Sequence, residues 1–170
     1  TAGTLVSARA LWSEVERPNA YIKITGTAEG WPAISSALGA GICVNVTLIF
    51  GLDQYRHVME AYVAGLEEAH DRGLDLSRIH SVASFFVSRV DTKADDELAP
   101  GSPLRGTVAV TNARQAFRLH QERFSDARWR RLAAKGARDQ RPLWASTGTK
   151  NPAYSDVIYV EQLTAPGVVN

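Results

Sequence analysis

The sequence predicts an α/β fold with a parallel sheet that curves into a barrel. Short β-rich runs alternate with stretches of helical periodicity, and short connections between them favour parallel strands. Along the first three predicted strands, one face is wholly apolar and the other carries polar groups. Polar groups on successive strands are hard to satisfy between two helix layers, whereas they converge in the interior of a barrel.

The first four elements follow from residue spacing and from glycine and proline. Apolar residues at helical spacing predict an amphipathic helix over 4–16, and the β-branched run 20–25 predicts the first strand. The segment 30–41 opens with glycine and proline and closes with two glycines, which is typical of a helix. The β-rich run 42–50 predicts the second strand.

The next elements continue this alternation. A helix is predicted from residue 52 until Gly73, where glycine can terminate it. The run 80–87 predicts the third strand. A polar stretch with two prolines and a glycine then interrupts the periodicity, so we expect 91–103 to be a surface loop.

The last third of the chain predicts two helices and two strands. Helical spacing resumes over 110–124, and a short helix is expected within 125–136. The runs 143–146 and 158–163 predict the fourth and fifth strands. With neither repeats nor linkers, residues 1–170 are expected to form a single domain.

Composition narrows the class of protein. A chain of 170 residues with 45% hydrophobic residues and a formal net charge of +1 indicates an ordinary globular domain and offers no bulk field for nucleic acid or a membrane surface. No basic and apolar leader precedes it, and the single cysteine, Cys43, suits a reducing compartment, so we expect a cytoplasmic location. The histidines lack metal-ligand spacing, and the phosphate-binding G-x-G-x-x-G motif is absent, so we expect no metal and no dinucleotide.

Lys23 is the most informative residue because it lies inside the β-branched run 20–25, which reads as a buried strand. A buried ammonium without a partner tends to lose its proton. The neutral amine that results is a nucleophile that can form a Schiff base with a carbonyl substrate. The alternative is a lysine on an edge strand that blocks aggregation.

Alternation along the strands gives Lys23 polar neighbours. Asn45, Thr47 and Ser84 fall on the faces of the second and third strands that correspond to the Lys23 face of the first. The alternative for each is a hydrogen-bonded or merely small polar residue in the core, but their common face favours a shared interior. Strict alternation also places Ile49 on this polar face.

Two cations follow strand ends and predict a phosphate site. Arg89 comes just after the third strand, and Lys150 follows the fourth, beyond the loop that contains Gly148. Cations at the open end of a barrel are suited to a phosphate, and the glycine loop could add backbone N–H donors. The alternative is a pair of solvated surface charges.

Four ordered motifs carry a resemblance to a known family. They are YIKITGT with the following Gly30, NVTLIF at 45–50, SFFVSRVD at 84–91 and RPLWASTGTK at 141–150. This set, which runs across essentially the whole chain, resembles the signatures of transaldolases, in the form of the actinobacterial type.

The resemblance implies a (β/α)8 TIM barrel with a class I aldol mechanism that uses neither a metal nor an organic cofactor. It implies sugar-phosphate substrates in the pentose phosphate pathway. A dihydroxyacetone unit would pass from sedoheptulose 7-phosphate to glyceraldehyde 3-phosphate through a lysine Schiff base. By motif position, Lys23 would be the nucleophile, Asn45 would hydrogen-bond the three-carbon unit, and Thr47 would help hold the catalytic water.

The same resemblance assigns the rest of the expected site. Ser84 would contact the substrate, Phe86 would line the site, and Arg89 and Lys150 would bind the phosphate. Lys150 stands where other branches of the family have arginine, so its contact with phosphate would be that of a point charge. Gly51 replaces the usual serine after the second strand, which affects only a helix cap.

The family's acid/base aspartate, asparagine and glutamate on the first three barrel strands have no counterpart in this chain. A complete barrel takes about 250 residues. The chain is therefore expected to form strands four to eight, about five parallel strands, with the N-terminal strands missing. Such a part is expected to associate with the rest of a barrel or as a homo-oligomer.

Two other functions remain open. One is a Schiff-base aldolase that cleaves or joins fructose 6-phosphate, in which case Phe86 and the water held by Thr47 would make the difference. The other is a non-catalytic fragment or scaffold, for which the missing acid/base residues are the main support.

Overall fold

The computed structural model describes residues 2–170. Within this range the chain forms seven helices and four strands, in which every strand is followed by at least one helix. The elements are α1 (Ala2–Val15), β1 (Ile22–Thr25), α2 (Trp31–Gly39), β2 (Val44–Ile49), α3 (Leu52–Asp71), β3 (Ser81–Phe86), α4 (Ser88–Glu97), α5 (Val108–Arg123), α6 (Ala127–Ala133), β4 (Arg141–Ala145) and α7 (Ile158–Leu163), with a 3-10 turn at Leu76–Arg78.

The four strands form one parallel sheet in the order β1-β2-β3-β4. Lys23 lies beside Asn45, and Ser84 lies beside Leu143 on the next strand. Because consecutive strands are neighbours and run the same way, each connection crosses over through helices, as the sequence predicts.

One face of the sheet carries the apolar core and is covered by helices. Val44, Val46 and Ala83 are completely buried on this face, and α2, α3 and α5 pack against the strands. Burying one large aliphatic side chain stabilises a fold by about 1.5–3 kcal/mol, so this layer accounts for much of the stability.

The fifth predicted strand is wrong in position. Residues 158–163 form helix α7, because Tyr159 and Leu163 lie four residues apart and are both buried. The fifth parallel position is taken instead by Val169, which forms a single bridge with Leu143. Its amide donates to Pro142 over 2.8 Å, and its carbonyl accepts from Trp144 over 2.9 Å.

The predicted loop over 91–103 is also wrong in its first half. Residues Ser88–Glu97 form α4, and Asp91 and Asp95, one helical turn apart, are both buried. The carboxylate of Asp91 accepts hydrogen bonds from the Ala109 amide at 2.7 Å and from the Tyr159 hydroxyl at 2.8 Å. Asp91 and Asp95 therefore anchor the start of α5 rather than lying in solvent.

Strand β2 does not keep the strict alternation that the sequence predicts. Leu48 adopts a left-handed conformation with φ of 58°, and the register with β3 shifts between Val46 and Ile49. As a result Ile49 is completely buried, while Leu48 and Phe50 are 37% and 36% exposed. A bulge of this kind moves every later side chain to the opposite face.

No helix among residues 2–170 is long and apolar enough to cross a membrane.

Candidate active site

Lys23 lies on the face of the sheet opposite the helix layer. Its neighbours along β1, Ile22 and Ile24, are buried, whereas Lys23 and Thr25 are exposed. The expectation that Lys23 is buried is wrong for this chain, because within residues 2–170 no second layer covers this face of β1. The alternation that singled out Lys23 is nevertheless present.

Asn45 stands next to Lys23 on the neighbouring strand and is held by Ser84. The Ser84 hydroxyl donates to Oδ1 of Asn45 over 2.7 Å, and Ser84 is 3% exposed. Because Oδ1 of Asn45 is the acceptor in this bond, the other end of the side-chain amide is the NH₂ group. That NH₂ group makes no hydrogen bond within the described chain and remains available as a donor. Three polar residues on three successive strands thus meet on one face.

Thr47 lies beside Thr25 in the parallel register, two residues beyond Asn45. It is 6% exposed, and its hydroxyl has no hydrogen-bond partner among residues 2–170. Buried hydroxyls are nearly always satisfied, often by ordered water. The position therefore suits a residue that holds a water molecule.

Phe86 marks the carboxyl end of β3 and joins the bulged end of β2. Its ring centroid lies 5.0 Å from that of Phe50, and Cζ of Arg89 lies 5.2 Å from the centroid of Phe86. Arg89 is exposed, and a cation–π contact holds its guanidinium over the Phe86 ring at the edge of the site. Phe50, predicted on the apolar face, joins this polar side because of the bulge at Leu48.

Lys150 lies in a different environment from Arg89. It lines a cavity of about 250 Å³ that Arg89 does not line and that includes Asp91, Asp95 and Arg105. The two predicted phosphate ligands therefore do not share one cavity in this chain.

Gln54 is a residue of the site that sequence reasoning missed. Its side-chain NH₂ donates to the carbonyls of Gly26 and Leu48, each over 2.9 Å, and its Oε1 accepts from the Phe50 amide over 3.0 Å. One amide thereby ties the end of β1 to the bulged end of β2. Spacing gave no signal for it, because Gln54 reads as a solvent-facing residue in the first turn of α3.

The close approach of the backbone after β1 explains why the residue at position 30 is a glycine. A Cβ atom at this position would lie 2.1 Å from the Thr25 carbonyl oxygen, far inside van der Waals contact. The turn that leads from Lys23 into α2 therefore passes too close to the strand for any side chain.

Comparison with known proteins agrees with the motifs. The family profile described as Transaldolase/Fructose-6-phosphate aldolase matches residues 1–169. A transaldolase of Thermobifida fusca is 58% identical over 175 residues, covering 100% of this chain and 48% of that protein. A transaldolase of Parafrankia sp. is 55% identical and covers 100% of this chain and 47% of that protein.

Transaldolase 1 of Streptomyces avermitilis is 54% identical, again over 100% of this chain and 46% of that protein. The chain thus spans about half the length of the curated relatives it matches. Its parallel sheet with a helix layer is consistent with part of the family's TIM barrel. From the family match and the full coverage of the chain by these relatives, the chain belongs to the transaldolase/fructose-6-phosphate aldolase family.

Proposed function

We propose that this chain carries the Schiff-base lysine and substrate-holding face of a transaldolase. The reaction would transfer a dihydroxyacetone unit from sedoheptulose 7-phosphate to glyceraldehyde 3-phosphate. The observation that carries the proposal is the alignment of Lys23, Asn45 and Ser84 on three neighbouring parallel strands, with the 2.7 Å bond between the last two.

The chemistry begins at Nζ of Lys23. The neutral amine adds to the ketose carbonyl, and loss of water gives an iminium. A base then removes the proton of the C4 hydroxyl, and the bond between C3 and C4, one bond removed from the iminium carbon C2, breaks. This releases an aldehyde and leaves a three-carbon enamine on the lysine. The enamine adds to the acceptor aldehyde, and water hydrolyses the new iminium to release the product ketose and restore the amine.

Asn45 and Thr47 would act on the bound three-carbon unit. The NH₂ group of Asn45, oriented by Ser84, can donate to a hydroxyl of that unit while Lys23 holds its carbon. The buried Thr47 hydroxyl can position the water that is lost and regained. Phe86 and Phe50 would form an apolar wall at the mouth, and Arg89 would attract the phosphate.

Proton transfer during cleavage needs an acid/base group that the two buried aspartates of α4 do not provide. Asp91 and Asp95 accept hydrogen bonds from the amides of Ala109 and Gly106, on the helix side of the fold. We therefore propose that this group comes from barrel strands other than β1–β4, so the chain would act together with the rest of a barrel. We also propose sugar phosphates as partners, no cofactor and a cytoplasmic location.

A second candidate function is fructose 6-phosphate aldolase activity, because the matching family is described by both activities. It differs in the fate of the enamine, which is protonated and hydrolysed to free dihydroxyacetone instead of being passed to an acceptor. The water associated with Thr47 and the wall formed by Phe86 are where this choice would be made.

Borohydride trapping tests the proposal. The chain is treated with borohydride in the presence of fructose 6-phosphate, and peptides are mapped by mass spectrometry. The expected result is a reduced adduct of the uncleaved ketose on Lys23, because Schiff-base formation precedes the cleavage for which β1–β4 present no acid/base group. Lys23→Arg is expected to abolish this adduct. Lys93→Arg is the matched control, because Lys93 lies on the exposed side of α4 and pairs with Glu97 over 3.0 Å.

Each outcome has a distinct meaning. Absence of an adduct on a chain whose circular dichroism shows it folded would overturn the catalytic proposal in favour of a scaffold. Free dihydroxyacetone formed without an acceptor aldehyde would favour the aldolase over the transferase.

A further inference from the structure

A second polar cavity lies at the amino-terminal ends of the strands, where Tyr21 stands two residues before Lys23. Its volume is about 530 Å³. His80 directly precedes β3, whereas Phe86 ends that strand, so the two positions are separated by about 20 Å at the usual rise per residue. The lining residues are Tyr21, His80, Ser81, His120, Arg138, Asp139, Arg141 and Gly167.

Two guanidiniums give this cavity a positive character. Neither Arg138 nor Arg141 makes a side-chain hydrogen bond or an ion pair with another residue of the range 2–170, and both are exposed. Burial and then these two cations lower the pKa of His80, which places both charges close to its ring. Paired guanidiniums of this kind match the oxygens of a tetrahedral anion.

A buried histidine points to a ligand independently of the surface charges. His120 is 6% exposed and lines the cavity, and its ring nitrogens, which are closed to solvent, make no hydrogen bond of good geometry among the described residues beyond an approach to the Gln140 backbone. A polar side chain that is buried without a partner is costly, so such groups in proteins usually meet water or a ligand.

Ser81, which lines the cavity, belongs to a buried polar network that is firmly held. Gln140 is completely buried and donates from Nε2 to the Ser81 hydroxyl over 2.9 Å, and Ser81 in turn donates to the Val44 carbonyl over 2.7 Å. The Oε1 atom of Gln140 has no partner within residues 2–170. These bonds fix the backbone that presents Arg138 and Arg141 on either side of Gln140.

One carboxylate opposes this charge. Burial raises the pKa of Asp139, and a hydrogen bond from the Trp129 side chain partly offsets this rise. One carboxylate against two guanidiniums leaves the cavity cationic, and Tyr21 adds a hydroxyl donor on the β1 side.

We propose that this cavity binds a phosphate group, held by Arg138 and Arg141 beside the buried imidazole of His120. Tyr21, His80 and Arg141 precede or begin their strands, whereas Phe86 and Arg89 lie at and beyond the carboxyl end of β3. A phosphate in this cavity would therefore be distinct from one held by Arg89. It does not depend on the function proposed above.

The four histidines of the chain allow a direct test by NMR. Inorganic phosphate is titrated into the chain while the imidazole signals are followed. His80 and His120 are expected to shift together with one saturating curve. His57, stacked on Trp31, and His70, beside Lys135, are expected to stay unchanged, since they lie outside the cavity.

Variants assign the effect to the two arginines. The double change Arg138→Gln and Arg141→Gln is expected to weaken phosphate binding roughly tenfold or more, because two charge-assisted bonds are lost. Arg9→Gln on the exposed side of α1 is the matched control for charge, and Arg89→Gln tests for binding at the lysine site. Both are expected to leave the His80 and His120 shifts intact.

Two results would overturn the proposal. One is that neither His80 nor His120 responds to phosphate in the unmodified chain, a measurement that needs no variant. The other is that Arg89→Gln, rather than the double variant, removes the response. A parallel titration with ribose 5-phosphate distinguishes the sources, because tighter binding than inorganic phosphate identifies a metabolite and equal binding identifies the free ion.

Discussion

At the scale of single residues, the candidate site depends on how one amide is oriented. Asn45 could present either its oxygen or its nitrogen to a substrate, and the bond from Ser84 selects the nitrogen. Sequence alternation placed both residues on one face with Lys23. It could not foresee this bond, because cross-strand register depends on how the strands pair and not on either strand alone.

Ser84→Ala is expected to slow the formation of the trapped adduct on Lys23 by about tenfold, since the amide of Asn45 loses its anchor and about 1–2 kcal/mol of positioning. The rate of borohydride trapping at a fixed fructose 6-phosphate concentration measures it. Ser7→Ala on the exposed surface of α1 is the control and should change nothing. A Ser84→Ala chain that traps as fast as the unmodified one would show that Asn45 is held by other means.

His120 is expected to make stability fall in mild acid. Burial lowers its pKa from 6.5 to about 4, so the folded chain binds fewer protons there than the unfolded chain. Its contribution is complete above pH 6.5 and is lost as the pH falls towards 4. Between pH 7 and pH 5 this amounts to about 2 kcal/mol of the unfolding free energy.

Urea denaturation at several pH values measures this loss. His120→Leu should show a shallower dependence of the unfolding free energy on pH, while His80 and Asp139, the other cavity groups whose pKa is shifted, remain in both chains. Equal slopes for the two chains would contradict the assignment to His120.

At the scale of elements, strand and helix positions were largely predictable, and the exceptions have physical causes. The run 158–163 has strand composition, but its buried residues are spaced four apart and it packs as α7. Asp91 and Asp95 look like solvent-facing charges in sequence, whereas they become hydrogen-bond acceptors for the start of α5. Tertiary contacts, which local propensity cannot report, decided both cases.

Substitution by alanine is expected to have different effects on stability at two glycines, Gly30 in the turn before α2 and Gly51 before α3. Gly30→Ala is expected to destabilise the fold by about 3 kcal/mol or more, because its Cβ would meet the Thr25 carbonyl oxygen at 2.1 Å. Gly51→Ala should be close to neutral, since nothing lies within 4 Å of a Cβ there and φ is −121°. Thermal unfolding of the two variants side by side makes the comparison.

If the close approach between position 30 and the Thr25 carbonyl is real, Gly30→Ala must lower the melting temperature more than Gly51→Ala. Similar melting temperatures for both variants would mean that the turn can relax. Gly51→Ser should be slightly stabilising, as serine is a good cap for the start of α3.

At the scale of the whole molecule, the sheet has two open sides. Among residues 2–170, β1 pairs only with β2, and β4 meets only the single bridge at Val169 beyond β3. Within the described range no second layer covers Lys23 on β1, although Thr47 and Ser84 on the same side of the sheet are buried. The sequence predicted the parallel order, but it could not reveal how much of the Lys23 face would lie open, because alternation along one strand does not report what packs against it.

The isolated chain is expected to self-associate and to show no transaldolase turnover. Unpaired strand edges recruit further strands, and cleavage needs an acid/base group that β1–β4 do not present. Sedimentation velocity over a range of concentrations, with a coupled assay for fructose 6-phosphate, measures both. A monomer at high concentration, or robust turnover, would contradict this expectation.

The bulge at Leu48 has a consequence for the redesign of this sheet. A mutant library designed on strict alternation along β2 would vary Ile49. Because Ile49 is completely buried, such changes would create cavities in the hydrophobic core. Leu48 and Phe50 are the productive positions, because the left-handed residue turns them towards the mouth beside Phe86. Selection for new acceptor aldehydes should therefore enrich changes at 48 and 50 and purge those at 49.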